Sequence, residues 1–212
     1  MIHAVLFDVY ETLIETPLYR SPYSYLIREL KITPEQISDA SLSIMTHNLG
    51  SIEETAAFLE GIFPGFTVPP ATIRQAEEEL AEHLSSFRKM DGLEEMIMIL
   101  RNRGYLLGLV SNVSSPYKEP IARLGIESLV DHYVYSCDCG FAKPDPRIFE
   151  MAIERMNLSR SSIVMVGDDP DADIAGARSV GLRAILLNPE DIGGISLSEL
   201  PQYLLKIDRT NG

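Results

Sequence analysis

Short apolar runs alternate with amphipathic stretches along most of the chain. Five runs rich in Val, Leu and Ile have the length of buried strands: Ala4 to Phe7, Leu106 to Val110, Tyr133 to Tyr135, Ile163 to Val166 and Ala184 to Leu187. Strands of a parallel sheet are continuously apolar because helices cover both faces of such a sheet. The pattern therefore predicts an α/β fold, with a Rossmann-like parallel sheet sandwiched by helices.

Two amphipathic stretches between these runs predict helices of the covering layers. The first is Leu93 to Leu100, which Gly104 brings to an end, and the second is Pro146 to Met156. A glycine just past the last periodic residue is a common helix stop. Both stretches lie between predicted strands, as the crossover helices of a parallel sheet do.

Residues 16–87 interrupt the alternation of strands and helices. They contain helical patterns at Ile52 to Leu59 and at Thr72 to Leu84, and no convincing buried strand. We predict that residues 1–15 and 88–212 form the core α/β domain and that residues 16–87 form a helical cap domain inserted after the first strand. The pattern is equally compatible with helices that pack on the sheet as ordinary layers, so both arrangements stay open.

Polar residues follow three of the predicted strands. Asp8 ends the first run, Ser111 and Asn112 end the second, and Asp168 and Asp169 end the fourth. Ligands of open parallel sheets bind outside the carboxyl ends of the strands, so these side chains are expected in one crevice. Two carboxylates brought close repel each other unless a cation lies between them, and carboxylate, carbonyl and water oxygens suit Mg²⁺. The sequence therefore predicts a divalent metal site.

Lys143 is the candidate cation for the same crevice. Pro144 follows it and disfavours helical backbone at Lys143, so the lysine is expected in an extended loop before the next helix. From there it could balance the carboxylates or an anionic substrate. Taken alone, such a lysine is more often a solvated surface residue.

Composition narrows the classes of partner. The 212-residue chain has a net charge of -13, and it lacks the basic clusters with which nucleic-acid-binding proteins neutralise phosphates. Its apolar runs are much shorter than the roughly 20 residues of a membrane-spanning helix, and no signal peptide is recognisable. With only two cysteines there is no disulfide framework. We expect a cytoplasmic protein that binds neither nucleic acid nor membrane; composition leaves its oligomeric state open.

Four segments resemble, in order and spacing, the four motifs of the haloacid dehalogenase-like hydrolase superfamily: Asp8 to Thr12, Ser111-Asn112, Lys143 to Pro146 and Gly167 to Ala177. The resemblance covers nearly the whole chain, and the helical segment after the first motif looks like the first type of cap in that superfamily. Four ordered motifs are specific for the superfamily but not for a substrate.

The resemblance implies a phosphatase with Asp8 as the nucleophile that forms an aspartyl-phosphate with a small phosphorylated metabolite. Mg²⁺ would lie between Asp8, the backbone carbonyl of Tyr10 and Asp168. In a second shell, Asp169 or Asp173 would hold metal-bound water or orient the motif lysine.

The same resemblance assigns substrate contacts. Ser111 would bind a phosphoryl oxygen, with Asn112 beside it, and Lys143 would neutralise charge on the nucleophile and the phosphate. Thr12 would support the loop and complete the substrate-binding set.

Tyr10 departs from the phosphatase pattern, which usually has a second aspartate at this position. That aspartate protonates the leaving alcohol and later activates water, and a general acid or base contributes roughly 10² to 10⁴-fold. Its absence is expected to slow the hydrolysis of alkyl phosphates most and that of acyl phosphates least. Tyr10 would be either a packing residue or a weak proton donor, and packing is favoured.

Two alternatives remain. Tyrosine at position 10 also resembles the metal-independent 2-haloacid dehalogenases. Against this, Asp168 stands where those enzymes have an uncharged side chain, and Phe149 replaces an expected tyrosine. Only Arg20 and Arg28 are candidates for their carboxylate-binding arginine. The second alternative is a member of the fold that binds a metabolite or partner without turnover. Retention of Asp8, Lys143 and Asp168 together disfavours it.

Overall fold

A five-stranded parallel sheet forms the centre of the protein. The computed structural model describes residues 1–16, 21–187 and 195–209. The strand order is β5-β4-β1-β6-β7, with the bounds β1 Ala4–Phe7, β4 Leu106–Ser111, β5 His132–Tyr135, β6 Ile163–Gly167 and β7 Arg183–Leu186. All five predicted strands are confirmed, with ends that differ by at most one residue. The α/β prediction is confirmed as well.

Both faces of the sheet are buried, which explains why the strands are continuously apolar. Val5 and Phe7 of β1 point into one hydrophobic cluster, and Ala4 and Leu6 point into the other. Helices cover each face, as the two clusters show: α5 Leu93–Asn102, α6 Lys118–Arg123 and α10 Leu200–Arg209 on one, α8 Pro146–Met156 and α9 Gly176–Ser179 on the other. The predicted helices α5 and α8 are confirmed. The short helix α7 Ser136–Cys139 follows β5.

In the described part of residues 16–87 lie four helices: α1 Tyr23–Glu29, α2 Pro34–Thr46, α3 Ile52–Ile62 and α4 Pro70–Ser86. They bury a hydrophobic cluster of their own, centred on side chains such as Leu26, Ile44 and Leu59. The sequence predicted α3 and α4 but neither α1 nor α2. The division into core and cap domains at these boundaries stays a prediction.

The segment leaves and rejoins the core at a two-stranded antiparallel ribbon. Strand β2 Ile14–Glu15 pairs with β3 Arg88–Lys89. This ribbon was not expected from the sequence, because two-residue strands carry no periodicity. None of the described helices has the length and apolar character needed to cross a membrane.

Candidate active site

Three adjacent strands bring the predicted motif residues to one edge of the sheet. In the order β4-β1-β6, Ser111 is the last residue of β4, Asp8 follows β1 directly, and Asp168 follows β6. The chain passes from β1 to β4 on one side and later returns to β6 on the other, so the edge is a topological switch point, where ligands of such sheets bind. A cavity of about 170 Å³ lies there and is lined by these three residues.

Lys143 reaches this cavity from the loop before α8 and binds two carboxylates. Its Nζ donates to Oδ1 of Asp8 at 2.5 Å and to Oδ1 of Asp173 at 2.6 Å. The lysine is only 5% exposed, so the solvated alternative is excluded. Burial alone would lower the pKa of Lys143, but the charges of Asp8 and Asp173 raise it. The lysine is therefore a fixed positive charge beside Asp8.

Asp173 is held close to the end of β6 by backbone contacts. Its Oδ2 accepts a hydrogen bond from the amide of Asp169 at 3.1 Å, and a Cβ atom at Gly167 would overlap the Asp173 carboxylate. Glycine is required at position 167 for this close approach. Asp173 therefore forms a fixed ion pair with Lys143. The resemblance offered the orientation of Lys143 to Asp169 or Asp173, and that role stays a prediction.

Asp169 itself caps a short helical turn. Its Oδ1 accepts hydrogen bonds from the amides of Asp171 and Ala172, both at 2.8 Å, at the start of the π-helical turn Pro170–Ala175. Such capping satisfies amides that have no partner within the turn. The resemblance also suggests that Asp169 holds metal-bound water or orients Lys143. The capping contact does not test that role.

The carboxylates of Asp8, Asp168 and Asp173 form an acidic cluster that fits a divalent cation. Ligand atoms of all three lie within 4.8 Å of one another. Burial, opposed by Lys143 and reinforced by Asp173, raises the pKa of Asp8 to about 6. Burial and the charge of Asp173 also raise the pKa of Asp168. Three carboxylates against one lysine leave excess negative charge, which a cation with oxygen ligands would neutralise.

The hydroxyl of Ser111 is buried in the cavity wall without a hydrogen-bond partner in the described part of the chain. Buried polar atoms are nearly always bonded, so an unsatisfied hydroxyl at a cavity indicates a ligand contact. The structure thus leaves Ser111 available for the predicted contact with a substrate oxygen.

Asn112 and Thr12 contact protein groups instead. The Asn112 amide donates to the Lys143 carbonyl at 2.8 Å and accepts from the Lys143 amide at 2.7 Å. The Thr12 hydroxyl donates to Oδ1 of Asp168 at 3.3 Å. Both side chains therefore position charged residues of the site, and the substrate contacts predicted for them stay untested.

Tyr10 packs in an aromatic cluster beside the cavity. Its ring makes edge contacts with Phe87 and Tyr117, at centroid distances of 5.1 and 6.1 Å, and its hydroxyl donates to the backbone carbonyl of Tyr117. Burial raises the pKa of Tyr10 above its ordinary value, so the hydroxyl stays protonated at neutral pH. The position of the hydroxyl agrees with the packing interpretation.

A second, larger cavity of about 570 Å³ adjoins the first and shares Tyr10 and Asn112 with it. Helices α1 and α2 and the loop after β4 form its wall, which includes Arg28. Arg20, the other arginine considered from the sequence, lies outside the described residues. We call this larger cavity the chamber.

The contacts around Tyr10 were not predicted from the sequence. Tyr117 lies 107 positions after Tyr10, its hydroxyl is 2.9 Å from Nδ1 of His83, and the Tyr23 hydroxyl is 3.0 Å from the Ser114 hydroxyl. These residues come from the helical segment and from the loop after β4. No motif or spacing in the sequence links them, because they meet only where the two regions pack together.

Comparisons with known proteins show relatives of similar sequence and fold. Glyceraldehyde 3-phosphate phosphatase of Methanothermobacter thermautotrophicus is 28% identical over 211 residues, which cover 90% of this chain and 87% of the relative. A haloacid dehalogenase-like phosphatase from Thermococcus onnurineus has a TM-score of 0.63 at 26% identity, covering 96% of this chain and 98% of that one.

A 2-haloacid dehalogenase from Pseudomonas syringae pv. Tomato DC3000 is similar to the same degree. Its TM-score is 0.67 at 26% identity, and the match covers 98% of this chain and all of that one. Structural similarity alone therefore does not separate a phosphatase from a dehalogenase. Residues 2–181 match the haloacid dehalogenase-like hydrolase family, and with most of its length in that match, this chain belongs to the family.

Proposed function

We propose that the protein is a Mg²⁺-dependent phosphatase of a small phosphorylated metabolite and that it works through an aspartyl-phosphate at Asp8. The observation that carries the proposal is the buried ion-pair network in which Lys143 bridges Asp8 and Asp173 beside Asp168. Relatives named as phosphatases support the same chemistry. The helical segment of residues 16–87 would act as a cap over the site.

In the first step, a carboxylate oxygen of Asp8 forms a bond to phosphorus. The bond from phosphorus to the leaving oxygen breaks, and the leaving group departs with the electron pair. Nζ of Lys143 lies 2.5 Å from Oδ1 of Asp8. The lysine would hold the carboxylate in position and balance charge on the phosphoryl group. The unpaired Ser111 hydroxyl would donate to a phosphoryl oxygen. Water then hydrolyses the aspartyl-phosphate and releases inorganic phosphate.

Asp8, Asp168 and the backbone carbonyl of Tyr10 would hold the metal ion, with Asp173 close by. Bound there, Mg²⁺ would spread the negative charge of the transferring phosphoryl group. Thr12 would keep Asp168 oriented through its 3.3 Å hydrogen bond. With the Tyr10 carbonyl as a ligand and Thr12 as a support, the acidic cluster would form a complete metal site.

The leaving group is expected to depart with little protonation. The Tyr10 hydroxyl donates to the Tyr117 carbonyl, and its raised pKa makes it a poor acid. Acyl and aryl phosphates need little help of this kind, because their leaving groups are stable anions. We therefore expect them to be hydrolysed faster than alkyl phosphates.

Metal-free dehalogenation of 2-haloacids is the second candidate, favoured by Tyr10 and by the similar dehalogenase structure. Asp168 argues against it, since this carboxylate adds negative charge that the reaction would not need. Phe149 argues against it too, because it replaces the tyrosine that the dehalogenase pattern has six residues after the lysine. Its ring is fully buried and packs in the core beneath Gly176.

One assay separates the candidates. Purified protein is incubated with acetyl phosphate, phenyl phosphate or 2-chloropropionate, with and without Mg²⁺, and phosphate and chloride are measured. We expect metal-dependent phosphate release that is abolished in Asp8→Asn. Chloride release without metal would establish the dehalogenase instead, and neither product would indicate a binding protein without turnover.

A further inference from the structure

The chamber has the size and location of a site for the organic part of a substrate. Its volume of about 570 Å³ lies within the range of about 300 to 1,000 Å³ that is usual for small-molecule pockets. Because it shares Tyr10 and Asn112 with the reaction cavity, a group bonded to a phosphate at Asp8 would extend directly into it.

The chamber wall is mostly apolar. Its apolar side chains come from α1, α2 and the loop after β4 and include Tyr23, Ile27, Ile37, Ile44, Met45 and Val113. Within the described lining, Arg28 is the only charged residue, and it is exposed, with its guanidinium 5.3 Å from the centre of the Tyr25 ring.

Several polar groups of the chamber wall are already bonded to other protein groups. The Tyr23 hydroxyl pairs with the Ser114 hydroxyl at 3.0 Å, and the Ser41 hydroxyl donates to the Ile37 carbonyl at 2.9 Å. The Asn112 amide is engaged with the Lys143 backbone. A polar organic group in the chamber would lose its hydrogen bonds to water and gain few in return.

We propose that the substrate is an aryl or acyl phosphate whose organic group is apolar and occupies the chamber. This inference rests on the proposed function and narrows its substrate class. Two independent features point to it. The apolar chamber favours an apolar organic group. The Tyr10 hydroxyl donates to Tyr117 and not to the leaving group, which favours a leaving group that departs as a stable phenolate or carboxylate. Polar alkyl phosphates fit neither feature.

A substrate pair measures the contribution of the chamber. Phenyl phosphate and 1-naphthyl phosphate have similar leaving groups but differ by one apolar ring. We expect kcat/KM to be at least about tenfold higher for 1-naphthyl phosphate, since buried apolar area strengthens binding in the transition state. Equal values would overturn the inference while leaving the phosphatase proposal intact.

Ile37 and Ile62 provide a matched pair of variants. Both are 42% exposed and lie on helices of the same segment, but only Ile37 is in the described chamber wall. Ile37→Asp is expected to reduce the preference for 1-naphthyl over phenyl phosphate at least about fivefold. Ile62→Asp is expected to leave it unchanged. An equal effect of the two variants would contradict a role for the chamber.

A binding measurement makes the test independent of turnover. In calorimetry with Mg²⁺ present, (1-naphthylmethyl)phosphonate is expected to bind at least about tenfold more tightly than methylphosphonate, and Ile37→Asp to reduce the difference. If no phosphate ester is hydrolysed but this difference is found, the phosphatase proposal fails and the apolar specificity of the chamber stands. Equal affinities would exclude that specificity.

Discussion

The side chain of Tyr10 makes contacts that fix it away from the role of a proton donor. Its hydroxyl donates to the Tyr117 carbonyl, and its ring packs against Phe87. Ser111 shows the opposite situation, because its buried hydroxyl has no protein partner in the described residues. At the residue scale, the Tyr10 hydroxyl is thus bonded within the protein, and the Ser111 hydroxyl is left available for a ligand.

Restoring an acid at position 10 should restore activity on alkyl phosphates. Tyr10→Asp and Tyr10→Asn both lose the aromatic contacts, at a stability cost of about 3 to 5 kcal/mol by analogy with other buried aromatic truncations. Only the aspartate can protonate the leaving alcohol, so kcat/KM for glycerol phosphate should be about 10²-fold higher in Tyr10→Asp than in Tyr10→Asn. For acetyl phosphate the two variants should be similar. Equal rates on glycerol phosphate would argue against the missing-acid explanation.

Removing the Ser111 hydroxyl should affect activity but not stability. Ser111→Ala removes a buried hydroxyl that has no described partner, so the melting temperature should stay the same or rise, while kcat/KM falls about 10²-fold as for other lost transition-state donors. Ser136→Ala is the matched control, because the Ser136 hydroxyl accepts from the Val113 amide at 2.8 Å and donates to the Met45 carbonyl at 2.7 Å. That variant should lower stability by about 1 to 3 kcal/mol. A comparable loss of stability in Ser111→Ala would show that its hydroxyl is bonded in the folded protein.

At the scale of elements, the end of β6 and the turn that follows it hold the charged network. Gly167 allows the Asp173 carboxylate to approach the strand, and the Asp169 side chain caps the turn that carries Asp173. The ends of β1 and β4 supply Asp8 and Ser111 in the same way. The strand ends therefore set the distances between the reacting side chains that they carry. The side chains alone could not set these distances.

Gly167→Ala should reduce activity through Asp173. The added Cβ would overlap the Asp173 carboxylate, which must then move and disturb its ion pair with Lys143. Because a displacement of about 1 Å can lower a rate 10²-fold, kcat/KM should fall at least tenfold. Gly61→Ala is the control, since a Cβ there meets nothing within 4 Å, and it should leave kcat/KM unchanged. Full activity in Gly167→Ala would indicate that Asp173 does not need its present position.

At the scale of the whole molecule, an acidic protein places three of its carboxylates together at one edge of the sheet. The chain has a net charge of -13, and the Asp8, Asp168 and Asp173 cluster is balanced within the site by Lys143 alone among the described residues. Burial of this charge raises the pKa of Asp8 to about 6. A cation would therefore stabilise the folded state most when these carboxylates are ionised.

The stabilisation by Mg²⁺ should depend on pH in a defined direction. Because the pKa of Asp8 rises from 3.8 to about 6 on folding, the metal-free folded state takes up a proton as the pH falls through 6, and this group makes it more stable at pH 5 than at pH 7.5. Mg²⁺ competes with that proton. It should raise the melting temperature more at pH 7.5 than at pH 5, measured against NaCl of equal ionic strength. A larger rise at pH 5 would contradict metal binding at Asp8, and Asp8→Asn should weaken the effect at pH 7.5.

The sequence by itself determined the features that depend on local order. Each of the five strands is a short apolar run, and Asp8, Ser111, Lys143 and Asp168 stand directly at strand ends or in loops marked by proline. The parallel sheet followed from these patterns, since burial on both faces requires continuous apolar strands. The acidic crevice followed from the rule that ligands bind at the carboxyl ends of such strands.

Only the tertiary structure decided what depends on contacts between distant segments. Tyr10 meets Tyr117 across 107 positions, and Asp8 meets Lys143 across 135. The ribbon of β2 and β3 and the apolar chamber also form only when the helical segment packs beside the core. Such contacts leave no periodicity in the sequence, because the partners are selected by packing and hydrogen bonding in three dimensions. The motifs thus predicted the reacting groups, whereas the folded chain determined the surroundings that select the leaving group.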